Sequence, residues 1–247
     1  MASTLTRADG ATIAYEQQAG RSPGVMFMGG FMSDMTGTKA MALEDYCRRR
    51  GQAFLRFDYQ GHGQSSGRFE DGTIGTWTDD ALFCFDRLTQ GPQVLVGSSM
   101  GGWIMLLVAL KRQARLKGLV GIAAAPDFTE DLMWQTMMPV ERETLLRDGV
   151  LEQPSAYSDE PYRVTLRLIE EGRRHLLLRD RIPLALPVRL LHGMKDADVP
   201  WETSMRIAER LDGPDVVVSL VKAGDHRLST PDDLERLCSA VGGLIGG

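Results

Sequence analysis

Two Gly-x-Ser-x-Gly segments in this sequence have the pattern of a nucleophilic serine. They are residues 63–67, around Ser65, and residues 97–101, around Ser99. A serine nucleophile needs a sharp turn from a strand into a helix, because that turn projects the hydroxyl and aims the first helical N–H groups at the developing oxyanion. Only the second segment follows a strand-like apolar run and precedes a helix-like one. We therefore predict Ser99 as the nucleophile and a structural role for Ser65.

A serine hydroxyl needs a base to remove its proton, and a carboxylate holds that base in the working tautomer. The sequence has four histidines. His226 follows the last predicted strand, and the order nucleophile, acid, histidine favours it as the general base. His62 precedes Ser99, His175 lies in a predicted insertion, and His192 is interpreted as a packing or loop-shaping residue.

Three aspartates follow predicted strands and are candidates for the acid. We favour Asp196, because Gly193 allows a tight turn before it and the next helix begins soon after it. Asp127 lies one strand earlier and stays an alternative. Asp198, the most exposed candidate, is the third.

The oxyanion hole needs two backbone N–H groups. The N–H of Met100, directly after the predicted nucleophile, is one candidate. The second is the N–H of Phe31, because two glycines end the strand before it, at the start of the first long loop.

Short apolar runs alternate with helix-length amphipathic stretches along most of the chain. The predicted strands cover residues 25–28, 53–57, 94–96, 119–123, 188–191 and 216–221, after an N-terminal hairpin that turns at Asp9-Gly10. The predicted helices cover residues 38–50, 77–88, 103–110, 202–211 and 232–241. This alternation is typical of an α/β fold with a doubly wound, mostly parallel sheet.

The alternation stops between residues 126 and 186, where we predict helices broken near Gly149, Pro154, Pro161 and Gly172. We interpret this stretch as a helical lid insertion, and residues 1–125 and 187–247 as the core. Trp134 and Met137 are predicted to bind substrate, in an apolar groove with Met133 and Met138 on the same side and Phe31 and Met32 opposite. The alternative is that the Met and Trp cluster only packs the helices.

The composition argues against several other classes of protein. The net charge is −5 and no long basic run occurs, which argues against a nucleic-acid partner. No window has the roughly 20 apolar residues of a membrane span. The three cysteines lie far apart without metal-ligand spacing, so we expect them to be reduced. Nucleophilic catalysis by a serine requires no metal or organic cofactor, and we expect none. The N-terminus has no apolar run, and we expect a cytoplasmic protein of undetermined oligomeric state.

Several blocks of the chain together resemble the family of mitochondrial α/β-hydrolases described as protein depalmitoylases and acyl-glucuronide esterases. The blocks include residues 23–25, 37–40, 56–59, 97–103, 192–201 and 225–227. The resemblance implies the α/β-hydrolase fold, the triad Ser99, Asp196 and His226, and a lid before the acid. It also implies a small-molecule acyl ester or thioester as substrate. Two alternatives stay open: cleavage of a carbon–carbon or other acyl bond by the same triad, and a non-catalytic binding protein.

Overall fold

The chain alternates strands and helices, as the spacing of its apolar runs predicts. The structure is a computed structural model that describes residues 2–153 and 162–246. The strands are β1 (Ser3–Thr6), β2 (Thr12–Gln18), β3 (Arg21–Met28), β4 (Gln52–Phe57), β5 (Gln93–Ser98), β6 (Leu116–Ile122), β7 (Val150–Gln153), β8 (Tyr162–Thr165), β9 (Val188–Gly193) and β10 (Val216–Val221). The α-helices are α1 (Thr38–Arg49), α2 (Ile74–Leu88), α3 (Met100–Arg112), α4 (Pro139–Asp148), α5 (Leu166–Gly172), α6 (Glu202–Arg210) and α7 (Pro231–Ile245).

Eight strands form one sheet in the order β1-β2-β4-β3-β5-β6-β9-β10. The N-terminal hairpin of β1 and β2 is antiparallel and joins β4 antiparallel, whereas the strands from β3 to β10 in this sheet pair in parallel. The predicted doubly wound, mostly parallel sheet is thus confirmed. Since the parallel strands end at one edge, the loops after β3, β5, β9 and β10 meet there.

Two apolar layers bury the sheet, and alternate residues of each strand point to opposite layers. In β5, Val94 and Val96 pack in the layer that also holds residues of α1 and α7. Leu95, between them, packs in the layer that holds residues of α2 and α3. Because both faces are covered, the strands are apolar at nearly every position, which explains why their runs were visible in the sequence.

The chain between β6 and β9 departs in part from the expected purely helical insertion. It contains α4, α5 and a π-helical turn at Thr129–Trp134, but also an antiparallel hairpin of β7 and β8. Each hairpin strand has only four residues, too few for a period of two to be recognised. Gly149, with a φ of 75°, caps α4, and α5 ends at Gly172; the expected breaks at Pro154 and Pro161 lie outside the described residues.

Within residues 2–153 and 162–246, no helix is both long and apolar enough to cross a membrane.

Candidate active site

Ser99 lies on a sharp turn between β5 and α3. Its backbone has a φ of 54° and a ψ of −119°, a conformation that costs a non-glycine residue about 1–3 kcal/mol. A Cβ on Gly97 would come 2.3 Å from the carbonyl oxygen of Gly101, and one on Gly101 would come 2.2 Å from that of Met28. The two glycines therefore let the turn pack closely, and the half-buried Ser99 lies at the wall of a cavity.

His226 lies on the loop after β10, within hydrogen-bond distance of Ser99. Its Nε2 is 3.1 Å from the Ser99 Oγ, and its Nδ1 is 2.8 Å from the Asp196 Oδ2. A carboxylate only accepts hydrogen bonds, so the Nδ1 carries the proton and the Nε2 accepts from the serine hydroxyl. The structure thus brings the three predicted triad residues together in the expected order.

The loops that carry Asp196 and His226 pack directly on each other. A Cβ on Gly193, at the end of β9, would come 2.4 Å from the carbonyl oxygens of both Gly224 and Asp225. The backbone N–H of Lys195 also donates to the Gly224 carbonyl, at 2.8 Å. This close packing fixes the distance between the carboxylate and the imidazole.

The Asp196 carboxylate is fully buried and accepts several hydrogen bonds. Its Oδ1 accepts from the backbone N–H groups of Asp198 and Val199, at 2.9 and 2.8 Å. Burial by itself would raise the pKa of Asp196, but hydrogen bonds from His192, His226 and Val199 outweigh burial and hold the pKa well below its usual range. The side chain is therefore a carboxylate at neutral pH.

The sequence analysis missed a contact between His192 and the predicted acid. The His192 Nε2 lies 3.1 Å from the Asp196 Oδ2. The available signal was the spacing: His192 is four residues before Asp196 with Gly193 between them, so the turn folds the aspartate back toward the end of the strand.

The other candidate acid, Asp127, has different partners. Its carboxylate is buried and accepts from the N–H groups of Leu177 and Leu178, at 2.7 and 2.9 Å. It therefore ties two segments of the insertion together, and no hydrogen bond of its carboxylate to His226 occurs among the described residues.

The hydroxyl of Ser65, in residues 63–67, makes its hydrogen bonds to backbone groups. It donates to the carbonyl of Asp58, at 2.7 Å, and accepts from the N–H of Ala14, at 2.8 Å. The loop continues into a short 3₁₀ turn and not into a long helix. The bond from Ala14 joins β2 to the loop after β4, and the bond to Asp58 joins two parts of that loop, so the hydroxyl has a structural task.

The glycine loop after β3 lies beside Ser99. A Cβ on Gly30 would lie 3.5 Å from the Ser99 Cβ. The Gly30 carbonyl accepts from the N–H and the hydroxyl of Ser33, at 3.2 and 2.8 Å. Since the N–H of a trans peptide points opposite to its C=O, the Phe31 N–H points away from Ser33. Met100 is the first residue of α3, so its N–H lies at the helix N-terminus.

A cavity of about 600 Å³ opens at Ser99 and His226. Its apolar wall includes Phe31, Met32, Phe128, Leu132 and Met133, and its polar wall includes Ser33, Lys39, Asp198 and Arg227. Sequence reasoning did not single out Leu132, Phe128 or Lys39, because nothing in their spacing distinguishes a cavity wall from ordinary packing.

Trp134 and Met137, predicted to bind substrate, do not line this cavity. Met137 is 5% exposed and packs with Leu145, Val164 and Ile169 in a small core of the insertion. Trp134 packs against the same cluster. The physical reason is that the insertion must bury apolar side chains of its own to hold its helices together, and these two residues serve that core. Met138 is 59% exposed.

One group of potential metal ligands occurs in the described part of the chain. Donor atoms of Asp196, Asp198 and His226 lie within 4.8 Å of one another. A metal ion there would have to break the hydrogen bond between His226 and Asp196, so the arrangement favours a hydrogen-bonded chain over a metal site.

Known proteins resemble this chain in sequence over nearly its whole length. Residues 24–149 match the family described as serine aminopeptidase, S33. The human mitochondrial palmitoyl-protein thioesterase ABHD10 is 43% identical over 244 residues, which are 98% of this chain and 79% of the relative. The mouse protein of the same name is 43% identical over 246 residues, which are 98% of this chain and 82% of the relative.

Solved structures of related proteins are also similar to this chain over nearly its whole length. The α/β-hydrolase domain-containing protein 10 from mouse superposes with a TM-score of 0.92 at 40% identity, covering 99% of this chain and 98% of that one. A hydrolase from Agrobacterium vitis gives a TM-score of 0.94 at 41% identity, covering 100% and 98%. The esterase Est1E from Butyrivibrio proteoclasticus, at 19% identity and a TM-score of 0.79 over 98% and 97%, shares the fold.

The relatives correct one expectation. They are named as mitochondrial proteins, so the expected cytoplasmic location is wrong. That expectation depended on the lack of an apolar run near the N-terminus. Mitochondrial targeting uses amphipathic, Arg-rich segments, which a search for an apolar run does not detect.

The fold, the sharp turn at Ser99 and the sequence identity over almost the whole chain all indicate the same family. The chain belongs to the ABHD10 family of serine hydrolases with the α/β-hydrolase fold, and it is an ester or thioester hydrolase.

Proposed function

We propose that this enzyme cleaves acyl esters and thioesters with Ser99 as nucleophile, His226 as general base and Asp196 as the residue that orients the base. The observation that carries the proposal is the continuous hydrogen-bonded chain of these three side chains, with distances of 3.1 and 2.8 Å. Ser99 and His226 lie at the wall of the cavity, where a substrate carbonyl has access to Ser99.

The reaction has two steps. His226 takes the proton from Ser99 as the serine oxygen attacks the carbonyl carbon, and it then gives that proton to the departing alkoxide or thiolate, which leaves as an alcohol or thiol. The acyl group stays on Ser99 as an ester. Water, deprotonated by His226, attacks this ester, and the carboxylic acid leaves as the proton returns to Ser99. Neither step needs a metal or an organic cofactor.

The oxyanion of each tetrahedral intermediate is assigned to the N–H groups of Met100 and Phe31. The first lies at the start of α3, where unpaired helical N–H groups and the helix dipole favour negative charge. The second belongs to the glycine loop whose Gly30 packs next to Ser99. Donors placed in advance are worth about 3–4 kcal/mol each in well-studied serine hydrolases.

Residues 126–186 are assigned as a lid, and residues 1–125 and 187–247 as the core. In support, the stretch leaves the sheet after β6 and returns at β9, and these strands are neighbours. It contributes Phe128, Leu132 and Met133 to the cavity wall.

The substrate class is assigned as acyl thioesters and esters with a medium or long chain. Relatives at 43% identity are named palmitoyl-protein thioesterases, and the cavity wall nearest the lid is apolar. A cavity of about 600 Å³ is in the range that holds small organic ligands. Each buried methylene contributes up to about 0.8 kcal/mol, so four added carbons raise kcat/KM by up to roughly 200-fold.

A series of p-nitrophenyl esters and matched thioesters from two to twelve carbons tests this assignment. We expect kcat/KM to rise with chain length, and the double variant Leu132→Ala, Met133→Ala to flatten the rise. The matched control is Trp134→Ala with Met137→Ala, which should lower thermal stability and leave the profile in place. A maximum at acetate would contradict the substrate class, and a profile flattened only by the control would place the acyl chain elsewhere.

A fluorophosphonate probe tests the nucleophile. Wild-type protein and Ser65→Ala should be labelled, whereas Ser99→Ala should not. Circular dichroism of the unlabelled variant should show a native fold, since alanine at position 99 removes only an oxygen atom. Retained labelling of Ser99→Ala would contradict the proposal.

A further inference from the structure

His192 gives the predicted acid a second imidazole neighbour that the proposed mechanism does not use. It lies in β9 with its side chain fully buried. Its Nε2 is 3.1 Å from the Asp196 Oδ2 and 3.0 Å from the carbonyl oxygen of Val199. Its Nδ1 is 2.7 Å from the hydroxyl of Ser204, in α6. Every polar atom of this imidazole therefore has a partner.

These partners determine the tautomer of His192. A backbone carbonyl only accepts hydrogen bonds, so the Nε2 must carry a proton to make its contact with Val199. The same N–H points at the Asp196 carboxylate, which it shares with the carbonyl. In the neutral imidazole the Nδ1 then accepts from the Ser204 hydroxyl, so α6 holds the ring in the tautomer that donates to the acid.

The Asp196 Oδ2 consequently accepts from two imidazoles, His226 at 2.8 Å and His192 at 3.1 Å. We propose that His192, held by Ser204, is a positioning residue that fixes the Asp196 carboxylate and limits its attraction for the protonated His226. This inference rests on the proposed triad. It assigns a function to a histidine that the sequence alone indicates as a packing or loop-shaping residue.

Two consequences follow from removing the His192 N–H. The carboxylate loses one of the bonds that fix its orientation, so His226 is correctly oriented less often. The negative charge of the carboxylate is also no longer shared with a second donor, so it attracts the positive charge that forms on His226 more strongly. The first effect lowers kcat/KM. The second moves the acid limb, the low-pH side of the profile of kcat/KM against pH, to higher pH.

Other charges near His226 stay unchanged in such a variant. They are Asp196 and Asp198 on the loop after β9, Asp225 and Arg227 on the loop of His226, and Lys39 on α1, whose Nζ donates to the Arg227 carbonyl at 2.6 Å. A shift of the acid limb therefore reports the loss of a neutral donor, and not the loss of a charge.

The test compares His192→Phe, His192→Gln and Ser204→Ala in full-length protein, with p-nitrophenyl esters over the pH range of activity. We expect His192→Phe to lower kcat/KM about 10- to 100-fold, as loss of an outer partner does at metal-ligating histidines, and to move the acid limb up by roughly half a unit or more. His192→Gln places an amide N–H near the Nε2 position and should recover most of both losses. Ser204→Ala should shift the limb in the same direction by less.

A merely structural role predicts a different result. The control His62→Phe removes another buried imidazole, which contacts the Gln60 carbonyl and not Asp196. This variant should lower stability without moving the acid limb. If His192→Phe behaves like this control, or if His192→Gln is no better than His192→Phe, the inference is wrong. If His192→Phe does not fold, an acid limb in Ser204→Ala identical to that of wild type overturns it. Failure of the triad itself shows separately, as fluorophosphonate labelling that survives in Ser99→Ala.

Discussion

The segments 63–67 and 97–101 share the Gly-x-Ser-x-Gly pattern but place their serines in opposite situations. Ser65 gives both hydrogen-bonding capacities of its hydroxyl to backbone groups of Asp58 and Ala14. Ser99 lies at the wall of a cavity and faces the Nε2 of His226. One hydroxyl holds two chain segments together, and the other is available to a substrate.

The glycines of the two segments differ in the same way. In the second segment, Gly97 and Gly101 are needed because backbone carbonyls lie within 2.3 Å of where a Cβ would be. In the first segment, Gly63 makes room for the Asp58 carboxylate, which accepts from the N–H of Gln64 and of Met35. A short glycine motif thus allows close packing of neighbouring atoms against the backbone. The elements on either side of the motif determine whether its serine is exposed as a nucleophile.

Exchange of each serine for alanine should give the largest contrast. We expect Ser99→Ala to lower kcat by about 10⁶-fold, as in serine proteases without their nucleophile, with little change in the free energy of unfolding. Ser65→Ala should keep kcat, but it leaves a backbone N–H and a carbonyl unpaired and should cost about 1–3 kcal/mol of stability. Ester hydrolysis and urea unfolding measure the two effects, and a reversal of them would exchange the roles of the segments.

The two buried aspartates provide the next contrast. Asp196→Asn should lower kcat/KM about 10⁴-fold, because an amide at this position leaves the histidine in the wrong tautomer. Asp127→Asn should change kcat/KM little and lower stability, because its carboxylate accepts from Leu177 and Leu178. Steady-state kinetics with one ester substrate decide between them. A larger kinetic loss in Asp127→Asn would move the acid to the loop after β6.

His62 directly precedes the first segment and His226 faces Ser99 in the second, and the two histidines should affect different measurements. Burial among aromatic rings lowers the pKa of His62 to about 4, and the Gln60 carbonyl opposes this shift only in part. The unfolded chain therefore binds a proton at His62 near pH 6.5 and the folded chain does not. The stability from the neutral imidazole is complete above pH 6.5 and decreases as the pH falls toward 4, by up to about 3 kcal/mol.

Denaturant unfolding of wild type and His62→Phe between pH 7 and pH 4 checks this smallest effect. The difference in unfolding free energy between the two proteins should decrease as the pH falls, because phenylalanine has no proton to bind. Parallel curves would show that His62 has the same proton affinity in both states.

The fold could be predicted from the sequence because it depends on local patterns, and the structure brings the three residues of the predicted triad together. Apolar runs that are covered on both faces identify the parallel strands, and the ends of those strands bring Ser99, Asp196 and His226 to one edge. The insertion was less predictable. Trp134 and Met137 are apolar residues of the insertion, like Leu132 and Met133, and only the packing of α4, α5 and the hairpin determines which pair meets the cavity.

The contact between His192 and Asp196 marks a second limit. A histidine at the end of a strand and an aspartate four residues later are common, and the sequence shows neither the turn that brings them together nor the hydroxyl of Ser204 on the next helix. Side-chain networks of this kind depend on three-dimensional angles, which spacing alone does not provide.

Ser99 is proposed to carry the acyl group during turnover, and trapping of this acyl-enzyme shows whether it does. Wild-type enzyme is mixed with a p-nitrophenyl acyl ester, quenched with acid within the burst phase, digested and analysed by mass spectrometry. We expect the mass of the acyl group on the peptide that contains Ser99, in an amount that matches the p-nitrophenol burst and is absent from His226→Ala. An adduct on the peptide that contains Ser65, or a burst without an adduct on Ser99, would show that Ser99 is not the nucleophile.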